Sequence, residues 1–356
     1  MFNKRYKSLD FLRGVAVLIV MTGHFLPGYL ASHIGWSGVD LFFVLSGFFV
    51  SGILFREYNA TGKINGLRFL VRRAFKIWPL FYTTILIYVI YYYTKNISFT
   101  KGQLFTEIFF IQNYRQGFTV ITWSLGIEEQ FYIFLTILMA GLLFFKKIKW
   151  VVPCCILLMI IVLTIRIINF TASPFLYNPY KYNFPLYLRA DTLCAGIIIA
   201  YYWQFYNQAF CDFVNKYFVV LTVLSFISLS PLAIYSYQDP FTLTGGFTFV
   251  YLGYALLVSV LLVKSTIFTT NKILLGIAWV GFYSYAIYLF HVLVGFASVN
   301  FFKKHISDEI PLAILFILFI ASNILFGYFA SRIVEQPFLR LRERIFPGPA
   351  FKKSPV

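Results

Sequence analysis

The sequence predicts an all-α polytopic membrane protein, with about ten transmembrane helices in one bundle and both termini cytoplasmic. Three observations carry that reading. First, 60% of the 356 residues are hydrophobic and 12% charged, and mean hydropathy is +0.77. A soluble domain is about 45–50% apolar and about 25% charged. Second, apolar runs recur at the length a bilayer demands, about 20 residues per helix. Third, Lys plus Arg number 30 against 13 Asp plus Glu, a net charge of +17, and this excess falls unevenly among the polar breaks. Together they exclude an ordinary water-soluble enzyme. They also exclude a disordered chain, which requires low hydrophobicity.

The first run covers 9–30. Lys4, Arg5 and Lys7 precede it as they would a signal peptide. Arg13 and His24 inside the run, and the lack of an A-x-A cleavage signal, make it a retained helix. The second, 38–55, is the least apolar because it carries Asp40, Ser46 and Ser51. The third covers 77–94. The stretch 95–127 that follows is rich in aromatics, with a short interfacial helix near 103–112. Further runs cover 128–146, 150–170, 190–207, 215–235, 246–264, 279–302 and 310–334. The domain organisation is one transmembrane domain, 1–340, and a basic cytoplasmic tail, 341–356. Of the four cysteines, Cys154 and Cys155 are adjacent in an apolar run, and Cys194 and Cys211 are isolated. No spacing suggests a metal site, so all four read as small apolar packing residues.

Alternating ten spans from a cytoplasmic N-terminus places 21 of the 30 cations on the cytoplasmic side. The positive-inside rule selects that orientation.

An ionisable group inside a span costs about 2.5–3.5 kcal/mol on insertion scales, so it needs a partner or a purpose. Arg13 and His24 are eleven residues apart, about three turns, so they share a helix face about 16 Å apart along the axis. That suits a ligand lying along the helix, its anionic end at Arg13 and its reacting end at His24. Equally, Arg13 can snorkel or pair with Asp10, and His24 can cap a backbone group. The segment RFLVRRAFKIWP, 68–79, carries four cations. Arg73 and Lys76 share a face and suit a phosphate, with Arg72 beside them, or they are positive-inside anchors. In TWSLGIEEQFY, 122–132, Glu128 and Glu129 open the fourth span and serve as an N-terminal cap or as a carboxylate beside His24. Asp40 is the third candidate partner for that histidine, and spacing does not choose among them. Trp123, Ser124, Arg189, Asp191, His291 and Glu335 are further polar or structural candidates. Arg189 and Asp191 can pair or cap, and Glu335 can pair with Arg332. The aromatics Tyr114, Phe118, Trp123, Tyr177, Tyr180 and Tyr182 suit an interfacial belt or sugar stacking. His33 and His305 carry no signal.

In order along the chain stand SLDFLRGVAVLIVMTGH, GVDLFFVLSGF, RRAFKIWP, TWSLGIEEQFY, LRADTLCAG, GFYSYAIYLFH and VEQP. From about residue 8 to 340 the sequence resembles the acyltransferase-3 family of membrane acyltransferases. The resemblance implies a ten-helix bundle that takes an acyl group, usually acetyl, from cytoplasmic acyl-CoA and passes it to a hydroxyl of an extracytoplasmic or lipid-linked glycan. It makes Arg13 and His24 the essential pair, with the assisting carboxylate, Glu128, Glu129 or Asp40, left open by the residues. Arg73-x-x-Lys76 would grip CoA phosphates, although Lys76 stands where an Arg is usual and lacks the bidentate fork. It implies acyl-CoA as a co-substrate, no permanently bound cofactor, no metal and no nucleic acid. It also implies a multi-pass location in the bacterial cytoplasmic membrane, and it is compatible with a homo-oligomer. Some members carry a C-terminal hydrolase-like domain, and none is expected here. The rival reading is a transporter or flippase of an anionic or glycan substrate, but no duplicated half is visible.

Overall fold

Residues 6–348, apart from 27, 29, 173–176, 269 and 308, are described by a computed structural model. Lys4, Arg5 and residues 349–356 of the expected tail, with Lys352 and Lys353, lie outside the described residues. The helices are α1 (Lys7–Phe25), α2 (Leu30–Gly35), α3 (Gly38–Thr61), α4 (Gly66–Thr94), α5 (Lys101–Ile108), α6 (Trp123–Phe144), α7 (Val151–Thr171) and α8 (Pro179–Tyr182). They continue with α9 (Ala190–Phe205), α10 (Asn207–Lys216), α11 (Phe218–Leu229), α12 (Phe247–Val263), α13 (Lys272–Phe282), α14 (Ser284–His305), α15 (Leu312–Ala330) and α16 (Gln336–Ile345). Among the described residues there is no strand. The protein is an all-α polytopic membrane protein.

Eight helices are long and apolar enough to cross a membrane among the described residues, nine if the bent pair α10–α11 forms one span. Every apolar run of the sequence has its helix, but two are not simple spans. Helix α9 has only 16 residues, fewer than the roughly 20 that a bilayer takes. Helix α11 meets α10 at 79°. Two helices begin earlier than their apolar runs. Helix α4 starts at Gly66, so the basic segment 68–76 is itself helical, with Asn65 Oδ1 accepting from Arg68 N at 2.9 Å as its cap. Helix α6 starts at Trp123, so Glu128 and Glu129 lie in its second turn rather than at its end. They are not N-terminal caps. Helix α16 runs across the boundary expected at residue 340.

The main apolar core joins α1, α3, α6, α9, α12 and α14. Helices α3 and α9 cross in direct backbone contact. A Cβ on Gly47 would collide with the Leu193 carbonyl, and one on Gly196 with the Val44 carbonyl. Small residues at a crossing are how membrane helices gain close packing where no hydrophobic force drives them together. The outward faces of α7, α11 and α15 are apolar: Ile160, Phe226 and Ile317 are 57%, 62% and 63% exposed. Such faces suit lipid rather than water.

Candidate functional site

The stripe Val39, Phe42, Ser46, Phe49, Ile53 and Arg56 on α3 lines one side of a cavity of about 280 Å³. Val39 and Arg56 are seventeen residues apart, so the cavity is a shaft about 25 Å long at the helical rise. Arg56 marks its basic end. Arg73 and Lys76 enter from α4 and Arg13 from α1. The helical period explains the grouping, since Arg73 and Lys76 share the inner face of α4 while Arg72 points away. Arg72 makes a bidentate pair with Glu343, at 2.8 and 3.2 Å, and also donates to the Phe346 carbonyl. It belongs to the docking of α16 on α4 and not to the shaft. Lys76 pairs with Glu335 at 3.1 Å. Arg73 lies over the Tyr132 ring, 5.7 Å from its centroid. Among the described residues Arg13, Arg56 and Arg73 have no carboxylate within salt-bridge reach. Three guanidinium groups without a salt-bridge partner on one narrow space suit an anion, even with the Glu128 carboxylate on the same lining.

At the other end Ser124, on α6, and Tyr288, on α14, close the shaft. Tyr288 Oη donates to the Ile121 carbonyl at 2.7 Å and lies 2.8 Å from Ser124 Oγ. One turn further along α14 is His291, fully buried. Its Nδ1 lies 2.6 Å from the Tyr288 carbonyl, and its Nε2 lies 3.3 Å from Nδ1 of His24, which is exposed at the end of α1. His24 Nδ1 also lies 2.9 Å from the Val20 carbonyl. A carbonyl can only accept, so both Nδ1 atoms carry protons in the neutral rings. His24 Nδ1–H is then shared between the Val20 carbonyl and His291 Nε2, and His24 Nε2 keeps its lone pair.

None of the three expected carboxylates meets His24. Asp40 is fully buried and pairs with Arg189 at 2.6 Å. Glu129 accepts from Trp78 Nε1 at 3.1 Å and lines a separate apolar cleft of about 840 Å³ beside α4. Glu128 is the member of the pair that faces the shaft. Adjacent helical residues point about 100° apart, so one choice excludes the other. Glu335 pairs with Lys76 and accepts from Ser331 at 2.7 Å, rather than pairing with Arg332. The π-turn Ser331–Glu335 sets that register.

The model of the acyltransferase-3 family, described as an acyltransferase domain, matches residues 6–332. The chain belongs to this family. The chain is 26% identical over 379 residues to the O-acetyltransferase OatA of Staphylococcus aureus (strain MRSA252), covering 99% of this chain and 60% of that protein. It is 26% identical over 362 residues to the peptidoglycan O-acetyltransferase OatA of Listeria monocytogenes, covering 94% of this chain and 56% of that protein. The chain thus spans somewhat more than half the length of these curated relatives. No solved structure matches it.

Beside the shaft the protein carries a buried charge quartet. Arg189 pairs with Asp40, and Arg166 pairs with Asp191 at 2.6 Å. All four side chains are at most 1% exposed. Arg189 lies 3.9 Å from the Phe247 ring centroid. Trp123 stacks on Phe184 at 4.4 Å, with Arg189 over its ring. These contacts join Asp40 of α3, Arg166 of α7, Asp191 of α9 and Phe247 of α12 around Arg189, and bring Trp123 of α6 against them. Arg56 and Arg166 were missed by the sequence reading, because each looks like an ordinary charge near a span end. Of the candidate belt residues, Phe118, Trp123 and Tyr182 are buried. Tyr114 is exposed and stacks on Tyr187 at 6.4 Å.

Proposed function

We propose that this chain is a membrane O-acetyltransferase that takes its acyl group from acyl-CoA and passes it to a hydroxyl of a surface or lipid-linked glycan. The observation that carries this reading is the shaft, which has cations at one end and the His24–His291 pair beyond the other. Acyl-CoA has that shape, with phosphates at one end, a linear arm and a thioester at the tip. The basic end faces the cytoplasm, where Arg13, Arg56, Arg73 and Lys76 hold the phosphates. Arg13 lies about 16 Å below His24 along α1, too far for it to polarise a thioester carbonyl beside the histidine. It is an anion holder. The relatives' names support acetyl as the acyl group and a glycan as the acceptor.

In the reaction His24 Nε2 takes the proton of the acceptor hydroxyl. The hydroxyl oxygen attacks the thioester carbon, the C–S bond breaks, and CoA leaves as the thiolate, which takes up the proton that His24 removed from the hydroxyl, so the histidine returns to its neutral form. His291 Nε2 accepts from His24 Nδ1–H throughout, holding the ring and stabilising the imidazolium, as the orienting member does in other acyl-transfer sites. For transfer the Ser124–Tyr288 contact must part, so that thioester and histidine share one space.

The test is His24→Ala in purified full-length protein, with release of CoA thiol from acetyl-CoA followed in the presence of glycan. Loss of at least 10²-fold in turnover is expected with CoA binding retained, the size of a general-base contribution. Full turnover would overturn the reading.

A further inference from the structure

The shaft is apolar along most of its walls, yet between its two ends it carries a polar group that neither anion binding nor proton transfer uses. Ser46 Oγ lies 2.8 Å from Tyr132 Oη, and Tyr132 Oη donates to Glu128 Oε2 at 2.9 Å. The phenol proton is spent on the carboxylate, so Ser46 must be the donor to the phenol oxygen. The donors of the group are thus used within it. Glu128 Oε1 has no hydrogen bond among the described residues, and no cation lies within salt-bridge distance of Glu128, although it lines the shaft. Arg13 and Arg73 act on this carboxylate only from beyond salt-bridge distance, so its second oxygen is left open toward the shaft. The group offers an acceptor and no free donor, so its complement on a ligand is an N–H or O–H.

Position narrows the ligand. Ser46 is ten residues from Arg56, about 15 Å along α3, and seven from Val39, about 10 Å. A phosphate seated at Arg56 therefore places the middle of a linear arm beside Glu128. In a CoA thioester that stretch contains two secondary amides, and the amide nearer the sulfur lies about 12 Å from the phosphate when extended. The length of an arginine side chain covers the difference. We propose that Glu128, positioned by Tyr132 and Ser46, accepts an amide N–H of the donor's linear arm. The shaft then selects an amide-bearing thioester arm over a plain alkyl chain of equal length. This rests on the reading of the shaft as the acyl-CoA site.

The experiment compares Glu128→Gln with Glu128→Leu in the purified full-length protein. Both remove the same charge, so any change in anion attraction is common to them, and only Gln keeps an acceptor oxygen. Two probes are titrated: CoA, and adenosine 3′,5′-bisphosphate, which has the phosphates without the arm. CoA is expected to bind Glu128→Leu about tenfold more weakly than Glu128→Gln, because one hydrogen bond is lost and an N–H is left unpaired. The armless probe is expected to bind both alike. Equal CoA affinity in the two variants overturns the proposal. So does a parallel loss of the armless probe in Glu128→Leu, since the defect would then not concern the arm. A wild-type protein that binds neither probe overturns the acyl-CoA reading itself.

Discussion

Two carbonyl oxygens decide the protonation pattern of the histidine pair. Tyr288 O fixes Nδ1–H on His291, and Val20 O favours Nδ1–H on His24. The free lone pair of the pair therefore falls on His24 Nε2. Under the proposed reaction His291 is a positioning residue, and His291→Ala should lower kcat about 10- to 100-fold, the usual cost of losing an orienting partner. The KM for acyl-CoA should stay unchanged, and His291→Asn, which retains an acceptor, should recover part of the rate. Steady-state kinetics on the three proteins checks this, and a shifted KM with normal kcat would count against it. The Arg13 and His24 positions were legible because eleven residues close three turns of one helix. The partner of His24 was not, because His291 lies 267 residues away. Nor could spacing choose between Glu128 and Glu129, since the packing of α6 against α3 and α4 decides which one faces inward.

At the scale of elements, the boundaries matter more than the spans. Apolar runs mark where lipid or core begins, whereas helices begin where a cap allows. Helix α4 therefore starts eleven residues before its apolar run and carries its cations on a rigid face. The predicted helix near 103–112 is α5, whose Thr100–Gln103 capping box is readable from the sequence. Less readable is Glu107 on α5, outside the spans and 1% exposed. Its Oε1 accepts from Phe118 N at 2.9 Å and Thr122 Oγ1 at 3.1 Å, tying α5 to the start of α6. Burial raises its pKa from 4.5 to about 7, against those hydrogen bonds. The folded group binds its proton more tightly than the unfolded one, so its stabilisation is full below about pH 4.5 and is lost as pH rises through about 7. Protection of the 110–122 amides from hydrogen exchange should accordingly fall between pH 5 and pH 8. Glu107→Gln, which stays neutral, should flatten that dependence, and an unchanged profile in that variant would refute the assignment.

On the scale of the whole molecule, the α3–α9 crossing connects the parts. It sets Asp40 opposite Arg189, and it holds the α3 stripe that lines the shaft. Removing one partner of a buried ion pair costs about 3–5 kcal/mol, so the quartet punishes any separation of these helices. Gly47→Leu should force them apart, adding roughly 1–3 kcal/mol of overpacking. A thermal melt in detergent should show a clear fall in Tm. Gly141→Leu, where a Cβ meets nothing within 4 Å, should leave Tm within about a degree, given the small effect of surface changes.

The sequence by itself determined the class of fold, the approximate spans, the basic end and the Arg13–His24 face. These depend on composition and on periods of a single helix, and both are local properties of the chain. Tertiary structure alone decided that Glu128 and not Glu129 enters the shaft. It also turned Arg72 toward Glu343, bound Asp40 to Arg189, added Arg56 to the cations and made His291 the neighbour of His24. Each of these is a choice among chemically equal residues, settled by which faces of distant helices meet. That choice carries its energy in contacts between segments far apart in the chain, where no local period records it.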